Sequence, residues 1–172
     1  METNTHPYVT LAVQSVRHYL EHGVALPCPK NLTEDLQDSK SVFVTIKNGP
    51  RLRGCIGDLT PFHDNLAKEI IHNATSAASR DSRFSPVTLD ELPELTFSVD
   101  VLTPLEKIEE LSQLDCRRYG LAVKAGERLG VLLPDLKGVE TVQEQLRICL
   151  KKGGIDKDEP YEMYRFEVKR YH

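Results

Sequence analysis

The most chemically suggestive segment of the chain is residues 52–57, with the sequence LRGCIG. It places Arg53 two residues before Cys55, so on a strand the two side chains are expected to share a face. A guanidinium beside a thiol lowers the pKa of the thiol and favours the nucleophilic thiolate. The same guanidinium could instead bind a carboxylate or phosphate of a substrate. The alternative without a catalytic role is a half-buried cysteine beside a surface ion pair, and spacing alone favours it.

Two further features could complete a site around this thiol. Gly54 and Gly57 lie within the same segment, and glycines in a strand allow something to approach the backbone closely. Residues 81–86 (DSRFSP) follow a predicted helix and precede a predicted strand, where functional loops are common. Asp81 could orient Arg83, Arg53 or an imidazole. The alternative is a tight loop closed by a local hydrogen bond from Asp81.

Metal and cofactor chemistry have weaker support in the sequence. His18 and His22 match an H-x-x-E-H pattern, but on a helix they point away from its apolar stripe, toward solvent. His63 and His72 are nine residues apart and are predicted to make no ligand pair with each other. No CxxC or phosphate-binding glycine loop is present. The sequence therefore predicts no metal and no cofactor.

Composition narrows the class of protein. The chain has 172 residues, and 22 Lys and Arg against 26 Asp and Glu give a net charge of -4. This balance gives no electrostatic reason to bind nucleic acid or anionic lipid. No apolar run approaches roughly 18 residues, so we expect no transmembrane helix. Residues 1–5 lack the basic and apolar regions of a signal peptide. We therefore expect a cytoplasmic protein with reduced thiols, of which at most one does chemistry.

Hydrophobic periodicity predicts the elements that would position these residues. Hairpins mixed with separate helices favour an α+β fold with antiparallel or mixed sheet hairpins and flanking helices. The predicted helices run from Pro7 to His22, from Thr60-Pro61 to about Arg80, from about Leu105 to Leu114, and from Thr141 to Lys152. The predicted strands are Ser41 to Lys47, Arg51 to Gly57, Leu95 to Thr103, Gly120 to Ala125, Arg128 to Leu133, and one around Tyr164 to Val168.

The register of the first hairpin decides what lies beside Cys55. A two-residue loop would set Arg51, Arg53 and Cys55 beside the apolar residues of the first strand. A three-residue loop, Asn48-Gly49-Pro50, sets Leu52, Gly54 and Ile56 there and makes one clean buried face. We predict the second register. It places Arg53 opposite Thr45 and Cys55 opposite Phe43, which adds Thr45 to the expected substrate contacts.

The sequence resembles the AMMECR-type domain family, whose prokaryotic members are called AmmeMemoRadiSam system protein A. The resemblance covers the chain from about residue 8 to residue 166. It is carried by these motifs: FVTI followed by LRGCIG, DSRFSP, ELPEL, SVDVLTP, GVLLP and CLKKGG. Ser82 stands where the family usually has proline, and Lys152 where alanine is usual. Residues 1–172 are therefore expected to form a single AMMECR-type domain.

The resemblance implies an α+β fold with two subdomains that form a cleft. It also implies two partners, a Memo-like protein and a radical SAM protein, but no firmly established activity. Two functions follow for this chain. In the first it is an enzyme or enzyme subunit acting on a small molecule, with Cys55, Arg53 and Asp81 catalytic and Gly54, Gly57, Arg83 and Thr45 binding substrate. In the second it is a non-catalytic binding or adaptor module for those partners. Whether the protein is an enzyme stays open at this point.

Overall fold

The computed structural model describes residues 5–172, which divide into two compact units. The first unit ends at Val101 and also contains Lys169–His172, and the second comprises Leu102–Val168. Residues 1–4 lie outside the described residues. They make up most of residues 1–5, on which the prediction of no signal peptide rests. The α+β fold class is confirmed, since helices and antiparallel strands occur in both units. The single domain and the cleft stay predictions.

The first unit packs helices against a sheet whose strand order begins β2-β1-β3, so β2 forms the edge of the sheet. Its elements are α1 (Pro7–His22), α2 (Glu34–Gln37), β1 (Val42–Asn48), β2 (Arg51–Gly57), α3 (Leu66–Ser79) and β3 (Leu95–Leu102). Helix α1 has the predicted bounds. Pro7 occupies its first turn, and Gly23 ends it with a left-handed φ of 73°. Val44, Ile46 and Ile70 are fully buried members of the core of this unit.

The predicted register of the first hairpin is wrong by two residues at Cys55. Cys55 lies opposite Thr45, and Gly54 lies opposite Ile46. The loop has two residues, Gly49 and Pro50. Gly49 takes a φ of 55°, which suits the first central position of a type II′ β-turn, and such turns connect strands through two residues. The pairing then shifts between Ile46 and Lys47, which leaves Arg53 as the extra residue of a β-bulge. The shift also separates Leu52 from the buried face and leaves it 36% exposed.

Helix α3 begins five residues later than the sequence predicts, at Leu66 rather than Pro61. Thr60-Pro61 does not cap it; instead Asn65 is the cap, and its side chain accepts a hydrogen bond from the Lys68 N–H. Glu69, which is fully buried, accepts hydrogen bonds from the backbone N–H groups of Phe62 and His63. This carboxylate holds the residues before the helix in a loop.

The second unit contains the other hairpin and the last helix. Its elements are β4 (Glu106–Ile108), β5 (Tyr119–Ala125), β6 (Arg128–Leu132), α4 (Val142–Gly153) and most of β7 (Glu162–Tyr171). β5 pairs with both β6 and β7, and β4 pairs with β7. The second hairpin and the capped start of α4 at Thr141 are confirmed.

The helix predicted at Leu105 to Leu114 is wrong. The chain forms strand β4 and then a single 3-10 turn at Leu111–Gln113. Three antiparallel pairs between β4 and β7, from Glu106↔Arg165 to Ile108↔Met163, outweigh the local helical preference of this segment. Over residues 5–172, no helix is both long enough and apolar enough to span a membrane.

Candidate functional site

Cys55 lies on the edge strand β2, half-buried, on the opposite sheet face from α3. Its Sγ is 3.3 Å from the Oγ1 of Thr45, the residue directly opposite on β1. Thr45 is in turn opposite Ser98 on β3. Because directly opposite residues share a sheet face, a thiol and two hydroxyls form a row across three strands. This row is the candidate site.

A buried carboxylate lies one row further along the same face. Asp100 is opposite Phe43, is only 1% exposed, and accepts two hydrogen bonds from Arg170, at 2.7 and 2.9 Å. Ser98 and Asp100 are not among the site residues predicted from the sequence. The signal was available, since these polar residues alternate with the apolar Phe97 and Val99 along β3 and must face the opposite side.

Arg53 does not lie beside the thiol in the way its spacing predicts. The bulge directs its side chain to the loop after residue 81, where its Nε and Nη2 donate to the Glu91 carboxylate at 2.9 and 3.1 Å. The guanidinium also donates to the carbonyls of Ser85 at 2.7 Å and Pro86 at 3.2 Å. The arginine side chain is only 14% exposed. Its guanidinium therefore braces this loop against β2.

Asp81 and Arg83 close the edge of the sheet at Cys55. The Cys55 N–H donates to the Asp81 carboxylate at 2.9 Å, and Arg83 Nη2 lies 3.4 Å from the Cys55 carbonyl. Arg83 also donates from Nε and Nη2 to Asp81, at 2.9 and 2.7 Å. The two side chains thus occupy the backbone donor and acceptor that a neighbouring strand would use. Asp81 orients Arg83, as one of the sequence hypotheses holds.

The electrostatic surroundings of Cys55 raise the pKa of its thiol. Burial is the largest cause, and the negative charges of Asp100 and Asp81 act in the same direction. The hydrogen bond with Thr45 and the positive charge of Arg83 lower the pKa but do not offset the burial. Arg83, rather than Arg53, is therefore the cation that acts on the thiol. At neutral pH the site presents a protonated thiol, which is a weak nucleophile.

The two glycines of β2 serve packing within the fold. A Cβ on Gly54 would lie 2.2 Å from the backbone carbonyl oxygen of Ala77, because α3 packs directly on the strand there. A Cβ on Gly57 would lie 2.3 Å from the Phe43 ring. The close approach predicted from these glycines is thus made by the protein itself. Their role in substrate binding stays a prediction.

The contacts described for Cys55 involve neither another thiol nor a histidine. Cys116 and Cys149 are buried, and burial raises the pKa of Cys149 to about 12. Within residues 5–172, no group of three or more His, Cys, Asp or Glu side chains is arranged to hold a metal ion. His63 and His72, however, are in ring contact, with centroids 5.3 Å apart, which the sequence separation did not indicate.

The carboxylates that hold the loop beside β2 predict a loss of stability in acid. Hydrogen bonds from Arg83 lower the pKa of Asp81 to about 2, and hydrogen bonds from Arg53 and Thr88 lower that of Glu91 to about 2. Because both folded pKa values lie below the unfolded values of about 4, the stabilisation is present above pH ~4 and is lost as the pH falls toward 2. Urea unfolding at a series of pH values should show this decline. Glu91→Gln should flatten it, and an unchanged acid slope in that variant would contradict the assignment.

Comparisons with known proteins agree on one family. The chain matches the family described as AMMECR1 over residues 9–171. A protein of Thermotoga maritima is 44% identical over 169 residues, which cover 96% of this chain and 97% of that protein. A protein of Clostridium acetobutylicum is 46% identical over 167 residues, covering 96% of this chain but 36% of that protein. The crystal structure of an uncharacterized protein from Pyrococcus horikoshii has a TM-score of 0.88 at 32% identity and covers 95% of this chain and 88% of its own.

Proposed function

The chain belongs to the AMMECR1 family, and on this premise we propose that it is a binding module for partner proteins rather than an enzyme acting alone through Cys55. The observation that carries the proposal is the pairing of the charges around the thiol. Arg53 is bound to Glu91 and Arg83 to Asp81, and burial raises the pKa of the Cys55 thiol. Charges paired in this way stabilise the fold, and the positive charge of Arg83 lowers the pKa of the thiol without offsetting its burial.

An exposed aromatic side chain supports the binding role. Phe62 is 77% exposed, the highest value among the exposed large hydrophobic residues described. Its backbone N–H donates to the buried Glu69 carboxylate at 3.2 Å, so the backbone that carries the ring is held in place. Aromatic side chains that are fixed in this way are frequent anchors of protein interfaces, because little conformational entropy is lost on binding.

The length of one relative supports a role in which this domain works together with another protein segment. The chain spans only 36% of the Clostridium acetobutylicum protein, so there the same domain belongs to a longer chain. The partners we propose are those that the family resemblance implies, a Memo-like protein and a radical SAM protein. The Memo-like protein is the one we assign to the Phe62 surface.

Replacing Phe62 with alanine is expected to weaken binding to the Memo-like protein of the same organism at least tenfold. A truncated aromatic anchor costs about 2 kcal/mol or more of binding free energy. Purified proteins and biolayer interferometry measure the change. Val24→Ala is the matched control, because Val24 is 59% exposed in the same unit and should bind as the wild type does. Failure of the wild-type chain to bind either proposed partner at about 100 μM would reject the proposal.

A second candidate function is thiol chemistry, and the contact between Cys55 and Thr45 favours it. The half-buried Sγ lies 3.3 Å from a hydroxyl, and the positive charge of Arg83 lowers the pKa of the thiol. In this function Cys55 is the nucleophile or carrier thiol, Asp81 and Arg83 complete the site, and a small molecule is the substrate. Because burial is the largest cause of the raised pKa, this function requires that binding of a ligand or partner bring a cation to the thiol or relieve its burial. Labelling of Cys55 across pH separates the two functions.

A further inference from the structure

We propose that His63 and His72 form a binding site for a transition-metal ion such as Zn²⁺. The two rings lie with centroids 5.3 Å apart and planes inclined by 65°. Two imidazoles that share one zinc through bonds of about 2.0–2.1 Å have ring centroids about 5 Å apart, so the observed spacing suits a shared ion. The site lies away from Cys55 and does not depend on the proposed docking role.

His63 supplies the second, independent observation. Its Nε2 is shielded from solvent and has no hydrogen-bond partner within the described part of the chain. Buried polar atoms are nearly always paired, so an unpaired imidazole nitrogen next to a second imidazole calls for a partner. A metal ion bound by that nitrogen would satisfy it, since neutral imidazole nitrogen is a preferred ligand of zinc.

The fold also holds the two ligands in place before any ion binds. The His63 N–H donates to the buried Glu69 carboxylate at 2.9 Å, and its carbonyl accepts from the Ser39 hydroxyl at 2.7 Å. His72 lies on α3, one helical turn after Glu69, and its exposed ring gives an ion a path from solvent. A site on fixed backbone binds with less ordering cost than one on a free loop.

The ion would take two protein ligands and complete its coordination with water. No third His, Cys, Asp or Glu of residues 5–172 is arranged to join the pair. The open positions distinguish it from closed structural zinc sites, which have four protein ligands. Such an ion could accept a ligand atom from a substrate or from a partner protein.

Titration of the full chain with ZnCl₂, followed by the ring nitrogen resonances of ¹⁵N-histidine, tests the site. In the wild type we expect saturable shifts at both His63 and His72. In His72→Ala we expect the Zn²⁺ affinity read from the His63 resonance to fall at least tenfold, and this variant should fold because His72 is exposed. His22→Ala is the matched control, since it removes one ring of the stacked pair His18 and His22 and should leave these shifts unchanged. Equal Zn²⁺ affinity in His72→Ala and the wild type, or no shift of either ring at about 1 mM Zn²⁺, would overturn the proposal.

Discussion

Replacing Gly54 with alanine is expected to destabilise the protein by about 3 kcal/mol, the upper end of the usual cost of overpacking. The added Cβ would lie 2.2 Å from the backbone carbonyl oxygen of Ala77, and a backbone atom within α3 cannot move aside as a flexible side chain can. The strand and the helix must separate, and the packing between them is lost. Urea unfolding followed by circular dichroism gives the free energy of unfolding for the comparison.

A neighbouring residue of the same strand provides the control for this change. Leu52 is 36% exposed, so Leu52→Ala should change the free energy of unfolding by less than about 1 kcal/mol. If Gly54→Ala were as stable as Leu52→Ala, β2 and α3 could not approach each other as closely as described. The glycine would then be free to serve the substrate role predicted from the sequence.

Replacing Arg53 with alanine is expected to destabilise the protein by about 2–3 kcal/mol. The substitution removes charge-assisted hydrogen bonds to Glu91 and the hydrogen bonds to the carbonyls of Ser85 and Pro86. The loss of stability does not exceed this range because Glu91 is 32% exposed, so water replaces part of the interaction that its carboxylate loses. Thermal and urea unfolding measure the change in stability, and amide hydrogen exchange should become faster in residues 81–91.

Arg53→Lys separates a bracing role from a purely electrostatic one. Lysine keeps the positive charge but cannot reproduce the forked contacts with a carboxylate and two carbonyls. We therefore expect Arg53→Lys to lose most of the stability that Arg53→Ala loses. Full stability in the lysine variant, together with slower alkylation of Cys55 in the alanine variant, would show that Arg53 acts on the thiol through its charge.

Local patterns in the sequence predicted those elements whose ends carry their own signals. Helix α1 begins at Pro7 and ends before Gly23 as predicted, because both residues impose the backbone geometry required there. The start of α3 was misplaced because Thr60-Pro61 resembles a cap. The actual start depends on Asn65 and on the buried Glu69 carboxylate, and that burial is a tertiary effect.

At the candidate site, too, local sequence signals predicted one part and tertiary contacts determined the other. The segment containing Cys55 was identified from the types and spacing of its residues, and the loop containing Asp81 and Arg83 does meet it in space. The partner of each arginine was not predictable, because the β-bulge at Arg53 depends on the conformation of the Gly49 turn several residues away. One extra residue in a strand redirects a side chain, and nothing in the spacing of Arg53 and Cys55 signals it.

The rate of Cys55 alkylation by iodoacetamide between pH 6 and 10.5, followed by peptide mass spectrometry, tests the central claim most directly. Burial and the charges of Asp81 and Asp100 raise the pKa of this thiol in the free protein. We expect slow labelling at neutral pH and a midpoint above the value of about 8.5 that is usual for free cysteine. Rapid labelling at pH 7, with a midpoint below about 7.5, would contradict it and would establish Cys55 as an activated nucleophile.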